Sequence, residues 1–353
     1  MYKDTKCVGI IFGGASGEHD ISIKSAITII NALREGINKR RYKTIPIYID
    51  LDGRWWTSET AKAALSKGSA LESKDLSSPL TQKGFLGFAE EHKNIDVWFP
   101  MLHGPNGEDG SIQGLLQLTN KPFVGSGVLG SALGLDKIAM KAAFKAANLP
   151  QVRYISAESN EIEQSNLVNS LIERIEKKLD YPYFIKPANL GSSVGISKAK
   201  NREELILGLK IAGNFDQRII IEEGLNVREL ECAVLGHKEI KISEVGEVNL
   251  NSEWYDYDAK YNQGSSKSTI PADIKDEVRY KVQDLTLKAC KAICAYGLGR
   301  VDFFYNENDG TILINEINTL PGFTNQSMYP NLWRASGINL PELVSHLIDS
   351  ATN

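Results

Sequence analysis

An open parallel-sheet α/β unit at the N-terminus, followed by two α+β units, is the fold this sequence predicts, and three observations carry that reading. Short β-rich runs alternate with amphipathic stretches through the first third, the rhythm of a parallel sheet wound with helices. After residue 128 the strand runs come with helices of their own in α+β groupings, ending in a hairpin. The chain has 353 residues, which at about 150 per domain gives two to three domains, and 42% hydrophobic residues can fill a core in each. A disordered or disulfide-stapled chain is excluded.

The first strand is VGIIF (8–12), followed by a helix over 22–37, the strand TIPIYI (44–49), the strand DVWFPML (96–102), a helix near 111–119 and the strand KPFVG (121–125). Between 54 and 94 the composition shifts to Ser, Lys, Gly and Glu with a weak helical pattern at 59–66, which reads as a peripheral insertion. A helix from Leu129 to Asn148, stopped by Pro150, opens the second unit. That unit continues with a helix (164–179), YPYFIKP (181–187), a Gly/Ser loop, a helix (201–213) and RIIIEE (218–223). The third unit has ELECAVLG (229–236), a polar stretch over 251–269 and a long helix (273–296). RVDFFY (300–305) and TILINEIN (311–318) close it, joined by Asn306 to Gly310. The expected domains are 1–128, 129–223 and 224–353.

Forty Lys and Arg against 44 Asp and Glu leave a net charge of −4, so no overall basic field recruits nucleic acid or anionic lipid. Any bound anion must be gripped locally. The four cysteines form no CxxC pair and read as reduced core thiols; Cys290 and Cys294 share a predicted helix but lack a second Cys/His pair to complete a metal site. The apolar run Cys7 to Phe12 is interrupted by Gly13 to Asp20 before a signal or membrane segment can form, so a cytoplasmic chain is expected.

Four motifs carry chemistry. Gly13 to Glu18 sits between the first strand and its helix, where open α/β sheets bind ligands, and Glu18-His19-Asp20 crowds polar side chains there; the bland reading is a capped turn. Gly125-Ser126-Gly127-Val128-Leu129-Gly130 satisfies GxGxxG, but no acidic residue ends a second strand about 20 residues on, so a dinucleotide site fails. No P-loop occurs. Lys186-Pro187-Ala188-Asn189-Leu190-Gly191-Ser192-Ser193-Val194-Gly195 puts a Lys at a strand end before a loop whose backbone N–H groups can face phosphate; alone, it does not beat an exposed hairpin. In the last hairpin, alternation puts Arg300 with Asp302 and Glu316 with Asn318 on one face, roughly opposite each other. Two carboxylates and an amide oxygen suit Mg²⁺.

With these motifs in hand, the sequence resembles the D-alanine–D-alanine ligases, a family of ATP-grasp enzymes, over essentially its whole length. The matching stretches are GGASGEHDIS (13–22), HGPNGEDGSIQG (103–114), GSGVLGSALGLDK (125–137), FIKPANLGSSVG (184–195), YDYDAKY (255–261), GRVDFF (299–304) and NEINTLPGFTNQS (315–327). The resemblance implies two ATP-grasp subdomains after the N-terminal domain, and formation of D-alanyl-D-alanine from two D-alanines with ATP cleaved to ADP and phosphate. D-lactate or D-serine as second substrate is the alternative.

By family position Lys137, Lys186 and Ser193 meet the phosphates, Glu222 to Leu225 lies along the adenine and Glu229 takes the ribose. Asp302, Glu316 and Asn318 are the implied magnesium ligands, with two ions expected and Mn²⁺ as a substitute. Glu18 is implied to hold the first D-alanine's ammonium in a triad with Ser192 and Tyr261. Lys260 and Arg300 meet developing charge, Gly322 offers an N–H to the oxyanion, and His103 and Ser327 bind substrate. The stretch Ser252 to Ser268, rich in Tyr and Trp from Trp254, is implied to close over the site, and Tyr261 favours an amine nucleophile. A homodimer is expected. The 54–94 insertion places the chain with longer family members, and Glu223-Gly224 varies where mainly backbone is used.

Overall fold

The structure, a computed structural model, describes residues 5–72, 76, 84, 85, 87–250 and 266–352. Its first sheet is built from β1 (Lys6–Gly13), β2 (Tyr42–Ile49), β3 (Trp55–Trp56) and β4 (Val97–Leu102), in the order β3-β2-β1-β4. β1 runs parallel to both β2 and β4, as expected. Val8, Ile10, Ile11 and Phe12 are all fully buried because helices cover both faces of a central parallel strand. The helices here are α1 (His19–Leu33), α2 (Asn38–Arg41), α3 (Ser58–Lys67) and α4 (Ser111–Gln117).

Several expected elements change. The 22–37 helix ends at Leu33, and KPFVG contributes only a bridge between Trp98 and Phe123 rather than a strand. The 54–94 segment is not wholly peripheral: Trp56, Ala61 and Ala64 are buried in the same core as β1 and α1. The single helix expected over 129–148 is two, α5 (Val128–Leu135) and α6 (Lys137–Ala146). Asp136 breaks it by turning to an extended backbone and capping α6, its side chain accepting from Ala139 N at 2.8 Å.

The middle unit contains β5 (Tyr154–Glu158), α7 (Ser159–Glu163), α8 (Ser165–Glu176), β6 (Tyr183–Pro187), β7 (Ser197–Ala199), α9 (Arg202–Gly213) and β8 (Arg218–Glu223). Its antiparallel sheet has the order β5-β8-β6-β7 and a core of its own, from Ile155 to Ile221. The last unit contains β9 (Arg228–Gly236), β10 (Lys241–Leu250), β11 (Ser266–Thr269), α10 (Asp276–Ala292), β12 (Gly297–Asn306), β13 (Thr311–Asn318), α11 (Met328–Ala335) and α12 (Leu340–Thr352). Its sheet order is β11-β10-β9-β12-β13.

α10 stops at Ala292, so Cys294 lies beyond it in a left-handed conformation and is exposed, and Cys7 is only half-buried; Cys232 and Cys290 alone are core thiols. Gly130 of the GxGxxG run packs against that same turn. A Cβ there would meet the Cys294 carbonyl oxygen at 2.4 Å, so this glycine serves close packing. Among the described residues no helix is long and apolar enough to cross a membrane.

Candidate active site

β12 alternates strictly, with Val301, Phe303 and Tyr305 in the core and Arg300 and Asp302 on the opposite face. Counting back from the Asn306–Thr311 end of the hairpin, the same alternation on β13 would send Glu316 inward with Ile312 and Ile314. A bulge prevents this. Phe303 pairs with Ile314 but Asp302 pairs with Glu316, so Asn315 is the extra residue and the strand changes phase. Ile317 then enters the core, while Glu316 and Asn318 stand opposite Asp302 and Arg300.

Arg300 donates from Nε and Nη2 to the two Asp302 oxygens at 2.7 Å each, and its Nε lies 2.8 Å from Glu231 on the neighbouring strand β9. Although burial disfavours its charge, Asp302 and Glu231 raise the guanidinium's pKa further. Asn318 Nδ2 donates to Asp302 Oδ2 at 3.0 Å. Two carboxylates and an amide have therefore converged where a hard cation takes oxygen ligands, and a half-turn of the Asn318 amide presents its oxygen. No cluster of three His, Cys, Asp or Glu residues forms a metal site among the described residues.

Lysines approach this hairpin from two elements. Lys137, at the start of α6, donates to the Leu190 carbonyl at 2.7 Å and lies 3.8 Å from Glu316. Lys186, on β6, lies 2.5 Å from Glu222 Oε2, and Lys141 lies 2.7 Å from Glu222 Oε1. Burial alone would raise the Glu222 pKa, but Lys141 and Lys186 overcome it and hold the carboxyl at about 2. After Lys186 the loop carries Ser192 and Ser193, both with positive φ, a conformation non-glycine residues seldom adopt. Such residues cluster at ligand clamps.

The N-terminal sheet supplies the facing wall. Of Glu18, His19 and Asp20 only Glu18 lines the cleft, and its carboxylate does not cap α1. His19 turns to the Gly14 carbonyl and the Tyr48 hydroxyl, while Asp20 accepts from Ala70 N. His103 is buried and its Nδ1 is 3.0 Å from the Leu320 carbonyl. Burial lowers its pKa against the pull of Glu18, so the ring is neutral and donates through Nδ1; Nε2 has no hydrogen-bond partner among the described residues. Glu108 accepts from Gly104 N at 2.7 Å, and its pKa is raised to about 8 by burial and by Glu18. Ser327 is the N-cap residue of α11 and bonds Thr324 through N and Oγ1, at 3.0 and 2.8 Å.

These groups line two cavities, of about 1110 and 680 Å³, that share Lys137, Ser192, Arg300 and Glu316. Glu18, His103, Asn318, Gly322 and Ser327 face the larger; Lys186, Ser193, Glu222, Leu225, Glu229 and Asp302 face the smaller. Lys260 and Tyr261 lie outside the described residues. Sequence reasoning missed Glu108, Glu231 and Lys141. Glu231 was accessible from strand alternation, two residues after Glu229, and Lys141 from helical spacing, four after Lys137.

The family described as "D-ala D-ala ligase N-terminus" matches residues 7–126 and "D-ala D-ala ligase C-terminus" matches 143–349. A D-alanine–D-alanine ligase of Synechococcus sp. (strain CC9311) is 54% identical over 344 residues, 98% of each chain. Among solved structures, the VanG D-Ala:D-Ser ligase from Enterococcus faecalis superposes with a TM-score of 0.82 at 33% identity, covering 98% of this chain and 99% of that one. The D-alanine-D-alanine ligase from Coxiella burnetii gives 0.78 at 32%, covering 99% and 94%.

Proposed function

This chain belongs to the D-alanine–D-alanine ligase family, and from that premise we propose that it joins two D-alanines into D-alanyl-D-alanine for peptidoglycan precursor synthesis, cleaving ATP to ADP and phosphate. One observation carries the reading. Lys137, Lys186 and Arg300 converge with Asp302, Glu316 and Asn318 in a cleft whose opposite wall presents Glu18.

A carboxylate resists attack by an amine. Phosphorylating the first D-alanine makes an acyl phosphate with a good leaving group, and the second D-alanine's amine then attacks that carbonyl. In this reading Glu18 holds the first ammonium, with Ser192 and Tyr261 closing the triad, and the smaller cavity takes ATP. Glu222 to Leu225 lies along the adenine, Glu229 holds the ribose, and Lys137, Lys186 and Ser193 meet the phosphates. Arg300 and Lys260 stand at developing charge, where a preorganised donor is worth about 3–4 kcal/mol. The Gly322 N–H serves the oxyanion. Ser327, at the start of α11, receives the second carboxylate where the unpaired N–H groups of a first helical turn favour an anion. The neutral His103 leaves Nε2 as an acceptor for a substrate N–H.

Asp302, Glu316 and Asn318 would hold Mg²⁺, two ions being expected and Mn²⁺ a substitute; when bound it would neutralise phosphate charge. We assign the units as 1–128, 129–223 and 224–353, the chain as a cytoplasmic homodimer, and the segment around Tyr261 as the closing loop. The test is ADP release that depends on D-alanine, with products identified for D-alanine paired with D-serine or D-lactate. D-alanyl-D-alanine is the expected main product at neutral pH. Predominant D-alanyl-D-serine, the activity named for one structural relative, or predominant depsipeptide would overturn the assignment.

A further inference from the structure

Lys141 has no part in the reaction as described, yet it is among the most enclosed charged groups in the chain, only 1% exposed. It lies on α6 one turn beyond Lys137 and lines neither of the two cavities. Its ammonium sits 2.7 Å from Glu222 Oε1 and 5.7 Å from the Tyr154 ring centroid. The other Glu222 oxygen faces Lys186, which does line the smaller cavity. One carboxylate is shared by two ammoniums, so these three groups carry a net charge of +1. Glu229 and Glu316 at the cavity wall also act on Lys186, so its charge is available to a bound anion only as far as Glu222 is neutralised from elsewhere.

We propose that Lys141 is a positioning residue for the nucleotide. By neutralising Glu222 from behind, it leaves the charge of Lys186 available to the phosphates. Without it, Glu222 and Lys186 close into a one-to-one pair of zero net charge facing the cavity. The inference rests on the smaller cavity being the ATP site.

Titration of the full-length protein with ATP, ADP and adenosine in Mg²⁺, together with steady-state kinetics, tests it. In Lys141→Met the Kd and KM for ATP rise about tenfold, adenosine affinity changes less than about twofold, and kcat stays within about twofold. Lys141→Arg recovers most of the loss. Because Lys141 acts through Glu222, adding Lys141→Met to Glu222→Gln changes the ATP Kd by less than about twofold, a comparison that survives if Lys141→Met alone does not fold. Equal losses for ATP and adenosine, an unchanged ATP Kd in Lys141→Met, or a tenfold loss on the Glu222→Gln background would each overturn the proposal. Failure of the wild-type protein to bind ATP would overturn the cavity reading itself.

Discussion

Glu108, half-buried, and Glu222, buried, are both carboxylates at the cleft, and they titrate in opposite directions. Burial and the neighbouring Glu18 push Glu108 up to about 8, so its neutral form favours the fold. The stability this brings is complete below the ordinary carboxyl value near 4.5 and is lost as pH rises through about 8. Glu108→Gln, which copies the neutral form, therefore raises the melting temperature of ligand-free protein at pH 8.5 and leaves it nearly unchanged at pH 5. Thermal unfolding across that range checks the sign. Glu222 behaves conversely. Its depressed pKa contributes stability above about 4.5 that is lost as pH falls toward 2, and Lys141→Met shrinks that acid-side dependence. Glu316→Gln replaces a metal-type donor and is expected to lower turnover by about two orders of magnitude or more, with loss of Mg²⁺-dependent protection by ATP in a melting assay. Normal turnover in this variant would contradict the metal assignment.

The β12–β13 hairpin is the element on which the site depends. Its strands were legible because apolar and polar residues alternate, and Arg300, Asp302, Glu316 and Asn318 could be placed on one face from sequence. The bulge that makes the two pairs face each other was not legible, since nothing in Ile314-Asn315-Glu316 announces a change of phase. β5 and β10 escaped notice for a related reason. Only Ile155 and Ala157 of β5 point inward, and β10 interleaves Glu244, Gly246 and Glu247 among its apolar residues. The Asp136 break was hidden because Leu135 and Met140 continue a helical pattern across it. Glu108 gave no signal, because its shift comes from Glu18 and burial, which only the tertiary fold supplies. Deleting Asn315 removes the bulge but keeps the phase, because Ile314 stays opposite Phe303 and Glu316 opposite Asp302, so Glu316 still stands at the cleft and Ile317 in the core. Turnover is therefore expected to survive the deletion, with the melting temperature falling by less than about 5 °C. Asn315→Ala keeps the residue count and should also retain turnover, so turnover abolished in the deletion alone would mean that the bulge itself, beyond the phase it sets, aims Glu316.

Across the whole molecule, the cores do not follow the order of the chain. Val8, Ile10 and Phe12 of β1 share one core with Leu320, Phe323, Trp333, Leu343 and Leu347, so α11 and α12 pack beneath the N-terminal sheet as well as against β9, with α11 also on β10 and α12 on β12. Polar contacts reinforce this join. Arg41 donates from Nη2 to both Asp349 oxygens at 2.7 and 2.9 Å, and Lys6 Nζ donates to Thr352 Oγ1 at 2.9 Å. The middle sheet, by contrast, fills its core from its own residues, Ile155 to Ile221. The larger cavity therefore has Glu18 and Ser327 on one jointly packed body, while Lys186 and Ser193 come from a separately packed one. Such an arrangement lets the wall that carries Lys186 loosen without disturbing the wall that carries Glu18 and Ser327. Leu347→Ala, truncating a fully enclosed side chain, is expected to cost about 2–5 kcal/mol. Hydrogen exchange should then show protection falling together in β1 and α12, at opposite ends of the sequence, with β6 and β8 keeping theirs. Loss confined to α12, with β1 unaffected, would mean that the shared core does not unfold as one unit.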